Sequence, residues 1–238
     1  MRVWPVAARL EKGGSVEITG PDARHIVTIL RLGAGDVIRV SDNDSHLFEA
    51  RIETARKNLV SALITDSLQA AAPGKPEVTL AVSISKQPVM EVIAQKAVEL
   101  GCNRFMPVIT KRSLYKNMSE SKLARIRKIA HEASKQSGNL FPMTVTDPVE
   151  PEGLPPAELR LLLWEKEKTR NVKTVLDGIL LPSSILLMVG PPGGFDSDEV
   201  QKLKSAGFVT AGLGRLVQRT ETAAISLMAI VNYRFDRV

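Results

Sequence analysis

Met188-Val189-Gly190-Pro191-Pro192-Gly193-Gly194-Phe195-Asp196-Ser197-Asp198-Glu199 closes an apolar run with a glycine-rich turn and then opens a polar segment of helical character. Gly190, Gly193 and Gly194 admit positive φ and close approach of backbone to a ligand, while the two prolines stiffen the turn. Asp196 and Glu199 have the spacing of a capping box for the helix that follows. No Gly-Lys-Ser/Thr succeeds the glycines, which argues against a P-loop. Read alone, the stretch is equally well a plain strand-to-helix turn.

A second loop lies nearer the C-terminus, Gly212-Leu213-Gly214-Arg215-Leu216-Val217-Gln218-Arg219-Thr220-Glu221-Thr222-Ala223-Ala224. Leu213-Gly214 ends a strand, and Thr220 is placed to cap a helix that continues through Ile225, Leu227, Met228, Ile230 and Val231. A helix apolar on nearly every face is buried in a core or against a second subunit. Arg219 and Glu221 stand out at its entrance, because a buried charge is costly unless paired. Either they face a ligand or they form a structural ion pair.

Upstream of these loops the pattern alternates strand and helix, which predicts an α/β unit with a mainly parallel sheet. Strands are expected at Val78 to Ser83, Arg104 to Val108, Leu159 to Trp164, Ile185 to Val189 and Val209 to Leu213. Pro88 opens a helix with Met90, Ile93, Ala94, Ala97 and Leu100 on one face, and Gly101 ends it. Further helices fit Glu120 to Ser137, a turn or two after Thr169, Glu199 to Ala206, and Thr220 to Phe235. Residues 1–72 read differently, as short strands at Ser15 to Ile18, Val37 to Val40, Leu47 to Ile52 and Leu59 to Ile64, separated by turns such as Asp42-Asn43-Asp44-Ser45. A small β-barrel closes such a set, with one helix at Asp22 to Leu32 that turns Ile26, Ile29 and Leu30 inward. The breaker-rich segment Ala70 to Pro76 divides a 1–72 domain from a 73–238 domain.

The net charge of +6 is unevenly distributed. Lys111 to Leu140 carries eight basic and two acidic residues, whereas residues 1–72 carry nine of each and 141–238 carry eleven and twelve. Charge concentrated in this way attracts a polyanion through counterion release, although a solvated face has the same composition. One cysteine, Cys102, and three scattered histidines predict neither a disulfide nor a metal site. The absence of a long uncharged apolar run, and the start Met1-Arg2-Val3-Trp4-Pro5, predict a cytoplasmic protein without a membrane span or signal peptide.

The two loops together carry a resemblance. Gly190-Pro191-Pro192-Gly193-Gly194-Phe195, then Leu213-Gly214 and Arg219-Thr220-Glu221-Thr222-Ala223, in this order, resemble the ribosomal RNA small subunit methyltransferase E family. The likeness extends to Met1-Arg2-Val3-Trp4, to His25 through Asp36 with Leu30-Arg31-Leu32, to Lys86 through Gly101, Thr110 to Ser113, Glu132 to Pro142, and Leu163-Trp164-Glu165. The resemblance implies a PUA-like RNA-binding barrel followed by a SPOUT domain whose C-terminal segment forms a trefoil knot, and a homodimer. It implies S-adenosylmethionine as cofactor, held by Leu163, Trp164 and Glu165, by Gly190, Pro191, Gly193 and Gly194, and by Leu213, Gly214, Thr222 and Ala223. It also implies methylation of N3 of a uridine in 16S ribosomal RNA of the small subunit, and so a role in rRNA processing and ribosome biogenesis.

Methyl transfer to N3 needs alignment of two atoms and removal of one proton. Arg219 is the expected group to steady negative charge on the uracil carbonyls, with Glu221 orienting it. Arg2, His25, Arg31 and Arg112, together with Lys122, Arg125 and Lys128 on the helix Glu120 to Ser137, are the expected RNA contacts, and Lys135 lies on the same helix face. The chain departs from the family at several polar positions. Pro192 replaces a glutamate, Leu216 and Gln218 stand for an arginine and a leucine, and Lys135 and Asn139 stand for a glutamate and an arginine. The alternative reading is therefore a catalytically weak RNA-binding or ribosome-assembly factor that keeps the fold.

Overall fold

The computed structural model describes residues 3–42, 46–68, 75–139 and 141–237. The chain divides into two units, Met1–Ala72 with Ser134–Phe141, and Pro73–Ala133 with Pro142–Val238. Most of the breaker-rich segment between Ala70 and Pro76, and the tip of the Asp42 to Ser45 turn, lie outside the described residues.

The N-terminal unit contains β1 (Val3–Pro5), β2 (Ser15–Thr19), α1 (Gly20–Arg24), a π-helical turn (His25–Ile29), β3 (Val37–Ser41), β4 (Leu47–Arg56) and β5 (Leu59–Leu68). These strands form one sheet in the order β1-β3-β4-β5-β2, antiparallel except for the β1–β3 pair. Alternate residues are buried, such as Ile38 and Val40, Phe48, Ala50 and Ile52, and Val60, Ala62 and Ile64. That period of two is the signature of a sheet with one face on a core. Trp4 on one edge strand and Val16 and Ile18 on the other share this core with the central strands, so the sheet curls around it as the small barrel the strand pattern predicts. Register shifts between Glu49 and Ala50 and between Ile52 and Thr54 sharpen the curl.

The expected helix at Asp22 to Leu32 is shorter and of mixed type. One α-turn passes directly into the π-turn His25–Ile29, and Arg31 adopts a φ of 56°. A π-turn holds more residues than an α-turn, so side chains beyond it leave the apolar face. Ile26 is buried, whereas Ile29 and Leu30 are exposed, contrary to the 3.6-residue pattern.

The second unit is built from β6 (Glu77–Ser83), α2 (Gln87–Glu99), β7 (Arg104–Val108), α3 (Glu120–Ser137), β8 (Thr144–Val145), β9 (Leu159–Leu163), α4 (Val172–Asp177), β10 (Ser184–Val189), α5 (Ser197–Ser205), β11 (Val209–Ala211) and α6 (Thr220–Phe235). Residues of α3 from Ser134 onward group with the N-terminal unit. The six strands run parallel in the order β11-β9-β10-β6-β7-β8. Both faces of the sheet are covered, which explains its continuous apolar runs. In β10, Ile185, Leu187 and Val189 join the core shared with α2, α4 and α6, while Leu186 and Met188 pack with Phe195, Val200 and Leu203 on the α5 side.

Helix α2 buries Met90, Ile93, Ala94 and Ala97, and α3 buries Leu123, Ile126, Ala130 and Ala133, as their spacing predicts. Helix α6 buries Ala224, Leu227, Met228 and Val231 along one side and is anchored where Asn232 Nδ2 donates to the carbonyl of Leu100 at 2.7 Å. Its opposite side, with Thr222, Ala229 and Tyr233, is exposed. The lone thiol of Cys102 is buried, and burial pushes it up to about 11. Among the described residues no helix is long and apolar enough to cross a membrane.

Candidate active site

The carboxyl ends of β9, β10 and β11 open into a cavity of about 760 Å³. In parallel α/β sheets this edge is where ligands bind, because the loops leaving the strands diverge there. The end of β9 and the residues after it supply Leu163, Trp164 and Glu165. The glycine loop after β10 supplies Gly190 through Phe195, and the end of β11 with the segment after it supplies Ala211 through Glu221 and Ala223. The two loops, far apart in sequence from Leu163, thus meet around one space. Of the expected cofactor contacts, Thr222 alone is absent from the wall; it is exposed on α6.

The glycine loop is held tightly. Gly194 N donates to the carbonyl of Pro191 at 2.8 Å, and Gly194 has a φ of 65°. A Cβ at Gly194 would collide with the Glu165 carboxylate, and one at Gly190 would lie 2.8 Å from the buried Phe195 ring. The buried Phe195 ring therefore fixes Gly190 by close approach, whereas Gly194 is fixed by its positive φ, since the Glu165 carboxylate can swing aside. Arg112, expected to contact RNA, braces this loop: Nη1 donates to the carbonyl of Gly193 at 3.2 Å and Nη2 lies 3.4 Å from Asp196 Oδ2. Lys111 Nζ pairs with Asp196 Oδ1 at 2.7 Å and, with lesser help from Arg112, holds that carboxyl below its ordinary range. Asp196 does cap α5, accepting from Asp198 N at 3.3 Å. The expected return arm of the capping box is missing, because Glu199 Oε1 accepts from Lys111 N at 2.9 Å.

The β11 loop is held by a residue the sequence did not single out. Glu167 accepts from Thr169 Oγ1 at 2.5 Å, Thr210 Oγ1 at 2.7 Å and Thr169 N at 2.9 Å. The Thr169 hydroxyl first, and the Thr210 hydroxyl next, draw its carboxyl down to about 2. Glu165-Lys166-Glu167-Lys168 reads as a solvated charge run, so no sequence signal marked this carboxylate. Gly212 lies against the same loop, its N donating to Arg170 O at 2.9 Å and its carbonyl accepting from Val172 N at 3.1 Å. A Cβ there would sit 2.9 Å from the carbonyl oxygen of Glu167.

Beyond Gly214, with a φ of 122°, the loop turns outward and Leu216 and Val217 are largely exposed. Arg219, not Thr220, occupies the cap position of α6, and its side chain makes no capping bond. Thr220 is the first helical residue, and its hydroxyl donates to Gly190 O at 3.2 Å, linking the two loops. Arg219 is exposed and Glu221 half-buried, so the entrance is less buried than its apolar flanks suggest, and among the described residues no ion pair joins them. Both line the cavity. Three residues of the wall have a side-chain polar atom buried without a hydrogen-bond partner: the hydroxyl of Ser85, the indole Nε1 of Trp164 and the amide Oε1 of Gln218. Unpaired buried polar atoms are uncommon and costly, and three on residues of one cavity wall leave polar groups there to be satisfied.

The remaining expected RNA contacts are dispersed. Lys122, Arg125 and Lys128 are exposed on α3, but Arg125 Nε is paired with Glu91 Oε1 at 2.5 Å, and Lys122 lies 4.8 Å from the Tyr115 ring centroid. Lys135, placed by its spacing on the RNA-facing side of the helix, is instead almost fully buried and pairs with Asp22 at 2.9 Å inside the N-terminal unit. The isolated spacing could not show that Asp22 waits for it. His25 packs its ring against Trp4 at 5.5 Å, Arg31 is exposed, and Arg2 lies outside the described residues. No group of three or more His, Cys, Asp or Glu able to hold a metal occurs among the described residues.

This architecture has known counterparts. An RNA methyltransferase domain model matches residues 73–232, and an RNA methyltransferase PUA domain model matches residues 18–65. Ribosomal RNA small subunit methyltransferase E of Bacillus subtilis is 29% identical, with 96% of this chain and 93% of that protein covered. Its namesake from Rickettsia conorii is 30% identical over 95% and 93%. The crystal structure of the Neisseria gonorrhoeae protein of the same name, bound to S-adenosyl methionine, superimposes with a TM-score of 0.85 at 28% identity, over 98% of this chain and 97% of that one. With both domain models in sequence and near-complete relatives at 29 and 30% identity, this chain belongs to the ribosomal RNA small subunit methyltransferase E family.

Proposed function

We propose that the protein uses S-adenosylmethionine to methylate N3 of a uridine in 16S ribosomal RNA. One observation carries the reading: the glycine loop, the β9 loop and the β11 loop enclose a cavity of cofactor size, and Ser85, Trp164 and Gln218 of its wall each keep a polar side-chain atom without a partner. A nucleoside cofactor carries amino, hydroxyl and carboxylate groups able to satisfy them. When bound, S-adenosylmethionine supplies a methyl group already activated by a sulfonium centre.

The chain's own residues then position, polarise and accept a proton. Glycine-loop backbone and the Trp164 and Gln218 side chains hold the cofactor in place. Arg219, exposed at the rim, steadies negative charge on the uracil carbonyl oxygens as N3 loses its proton. Glu167 is saturated by hydroxyl and amide donors, which leaves Glu165 and Glu221 as the cavity carboxylates open to that proton. A paired uridine hides N3, so the target base leaves its stack to enter.

In this reading residues 1–72, with His25 and Arg31, form the RNA-gripping domain and 73–238 the transferase. The close packing of Gly212 against the Glu167 to Val172 loop supports a trefoil knot, and the uncovered side of α6 supports a homodimer. The protein works in the cytoplasm, where ribosomes assemble, and needs no metal. A second reading, an RNA-binding assembly factor with little activity, draws on Pro192, which offers the cavity neither a carboxylate nor an N–H. Calorimetric titration with S-adenosylmethionine separates them. Binding near one per subunit, with transfer to unmethylated small subunits at a uridine N3, is the expected result; no binding, alone or with 16S rRNA, favours the second reading. Arg219→Ala is expected to lower turnover at least tenfold with cofactor affinity unchanged, and an unaltered rate removes Arg219 from the reaction.

A further inference from the structure

Beside Leu114 of the cavity wall the chain carries a partly exposed aromatic ring, Tyr115. Among the described residues, Tyr115 and Tyr233 are the aromatic side chains left exposed, and Tyr115 directly follows Leu114, which lines the cavity. An exposed ring forgoes the hydrophobic gain of burial, so its place on a rigid loop calls for a partner. The loop is rigid at several points. Leu114 N donates to Ile84 O at 3.1 Å, and Lys116 Nζ caps the carbonyls of Thr110 and Lys111 at 2.9 and 2.7 Å. Arg112 ties the same loop to Gly193 of the glycine loop. The Tyr115 backbone is thereby fixed relative to the cavity.

A cation accompanies the ring. Lys122 Nζ lies 4.8 Å from its centroid, and the start of α3 that carries Lys122 is tied to α2 where Gln87 Nε2 donates to Lys122 O at 3.2 Å. Lys122 has no carboxylate partner among the described residues, unlike Lys111 and Arg125. An aromatic face beside a flexible, unneutralised ammonium suits one ligand chemistry above others: a nucleobase to stack and a phosphate to pair. Stacking tolerates any base, and it requires the base to be unpaired.

We propose that Tyr115 is a stacking platform for an unpaired nucleobase adjoining the target nucleotide, with Lys122 engaging the neighbouring phosphate. The identity of what enters the cavity rests on the methyltransferase reading; the platform is tested separately by affinity. Tyr115→Phe, Tyr115→Leu and Lys122→Ala are compared with wild type on unmethylated small ribosomal subunits, measuring RNA Kd, KM, kcat, cofactor Kd and oligomeric mass. Leucine keeps apolar bulk without a π face, and the exposed position spares the fold. Tyr115→Leu is expected to raise RNA Kd and KM about tenfold, with kcat, cofactor Kd and mass unchanged, while Tyr115→Phe stays within about twofold of wild type. Lys122→Ala is expected to weaken binding and flatten its salt dependence.

Wild-type affinity in Tyr115→Leu overturns the proposal. So does an equal loss in Tyr115→Phe, or an effect confined to kcat, cofactor binding or oligomeric mass. Wild-type protein that binds subunits but transfers no methyl group sinks the cavity reading alone, since the affinity comparison still decides the platform. Wild-type protein that binds no subunits sinks the platform.

Discussion

Gly194 couples backbone conformation to the site more directly than any other residue. Its φ of 65° and the contact of a would-be Cβ with Glu165 act in the same direction. Gly194→Ala is therefore expected to weaken S-adenosylmethionine binding at least tenfold and to lower the melting temperature by about 2–4 °C, the shift expected for roughly 1 kcal/mol in a chain of this size. Gly193→Ala, where a Cβ meets nothing within 4 Å, serves as the control and should change little. Calorimetry and thermal unfolding of the pair read both effects. Glu167 gives a pH signature. Its carboxyl is drawn from 4.5 to about 2 by the Thr169 and Thr210 hydroxyls, so its contribution to stability is complete above about pH 4.5 and fades as pH falls toward 2. Glu167→Gln turns an amide toward hydroxyl and amide donors and should cost about 1–3 kcal/mol near neutrality. The gap in melting temperature between variant and wild type should narrow on acidification below pH 4.5; a gap that persists unchanged would show the carboxylate charge to be irrelevant.

At the level of elements, α3 shows why a charge count overstates an RNA-binding face. Its apolar stripe is where the spacing puts it, yet the cations around the stripe have different fates. Lys135 is buried against Asp22, Arg125 is held by Glu91, and Lys122 and Lys128 remain exposed. Lys122→Ala with Lys128→Ala is accordingly expected to reduce the slope of log Kobs against log salt by about 1.4, near 0.7 per lost contact on single-stranded RNA. Arg125→Ala should leave the slope close to wild type. Filter binding over a salt series distinguishes the two, and a full extra unit lost with Arg125 would mean that Glu91 releases it to phosphate. The capping box at Asp196 illustrates the same limit: the spacing was right, but Lys111 took the return arm by claiming Glu199.

At the level of the whole molecule, α6 is packed on one side and uncovered on the other. Tyr233 is 91% exposed on a helix that carries almost no charge until its last turn, a surface fit for a second copy of the chain. Tyr233→Asp should convert a dimer to a monomer in light scattering, because a carboxylate at the centre of an apolar contact is left without water or partner. A dimer mass unchanged by the substitution would place the interface elsewhere.

The strand and helix alternation, the inward faces of α2 and α3 and the two glycine-bearing loops were legible in the amino-acid order. Those features follow from local periodicity and from glycine and proline placement, which act over a few residues. The resemblance already grouped the Leu163 to Glu165 stretch with the two loops, but it took the folded chain to show that Glu167 anchors the β11 loop, that Arg112 braces the glycine loop, and that Ile29 and Leu30 leave the core through a π-turn. The π-turn is a local choice of backbone that the 3.6-residue spacing does not mark, whereas the other two depend on partners tens of residues away, Thr210 for Glu167 and Gly193 for Arg112, and distance along the chain carries no trace of which donor meets which acceptor.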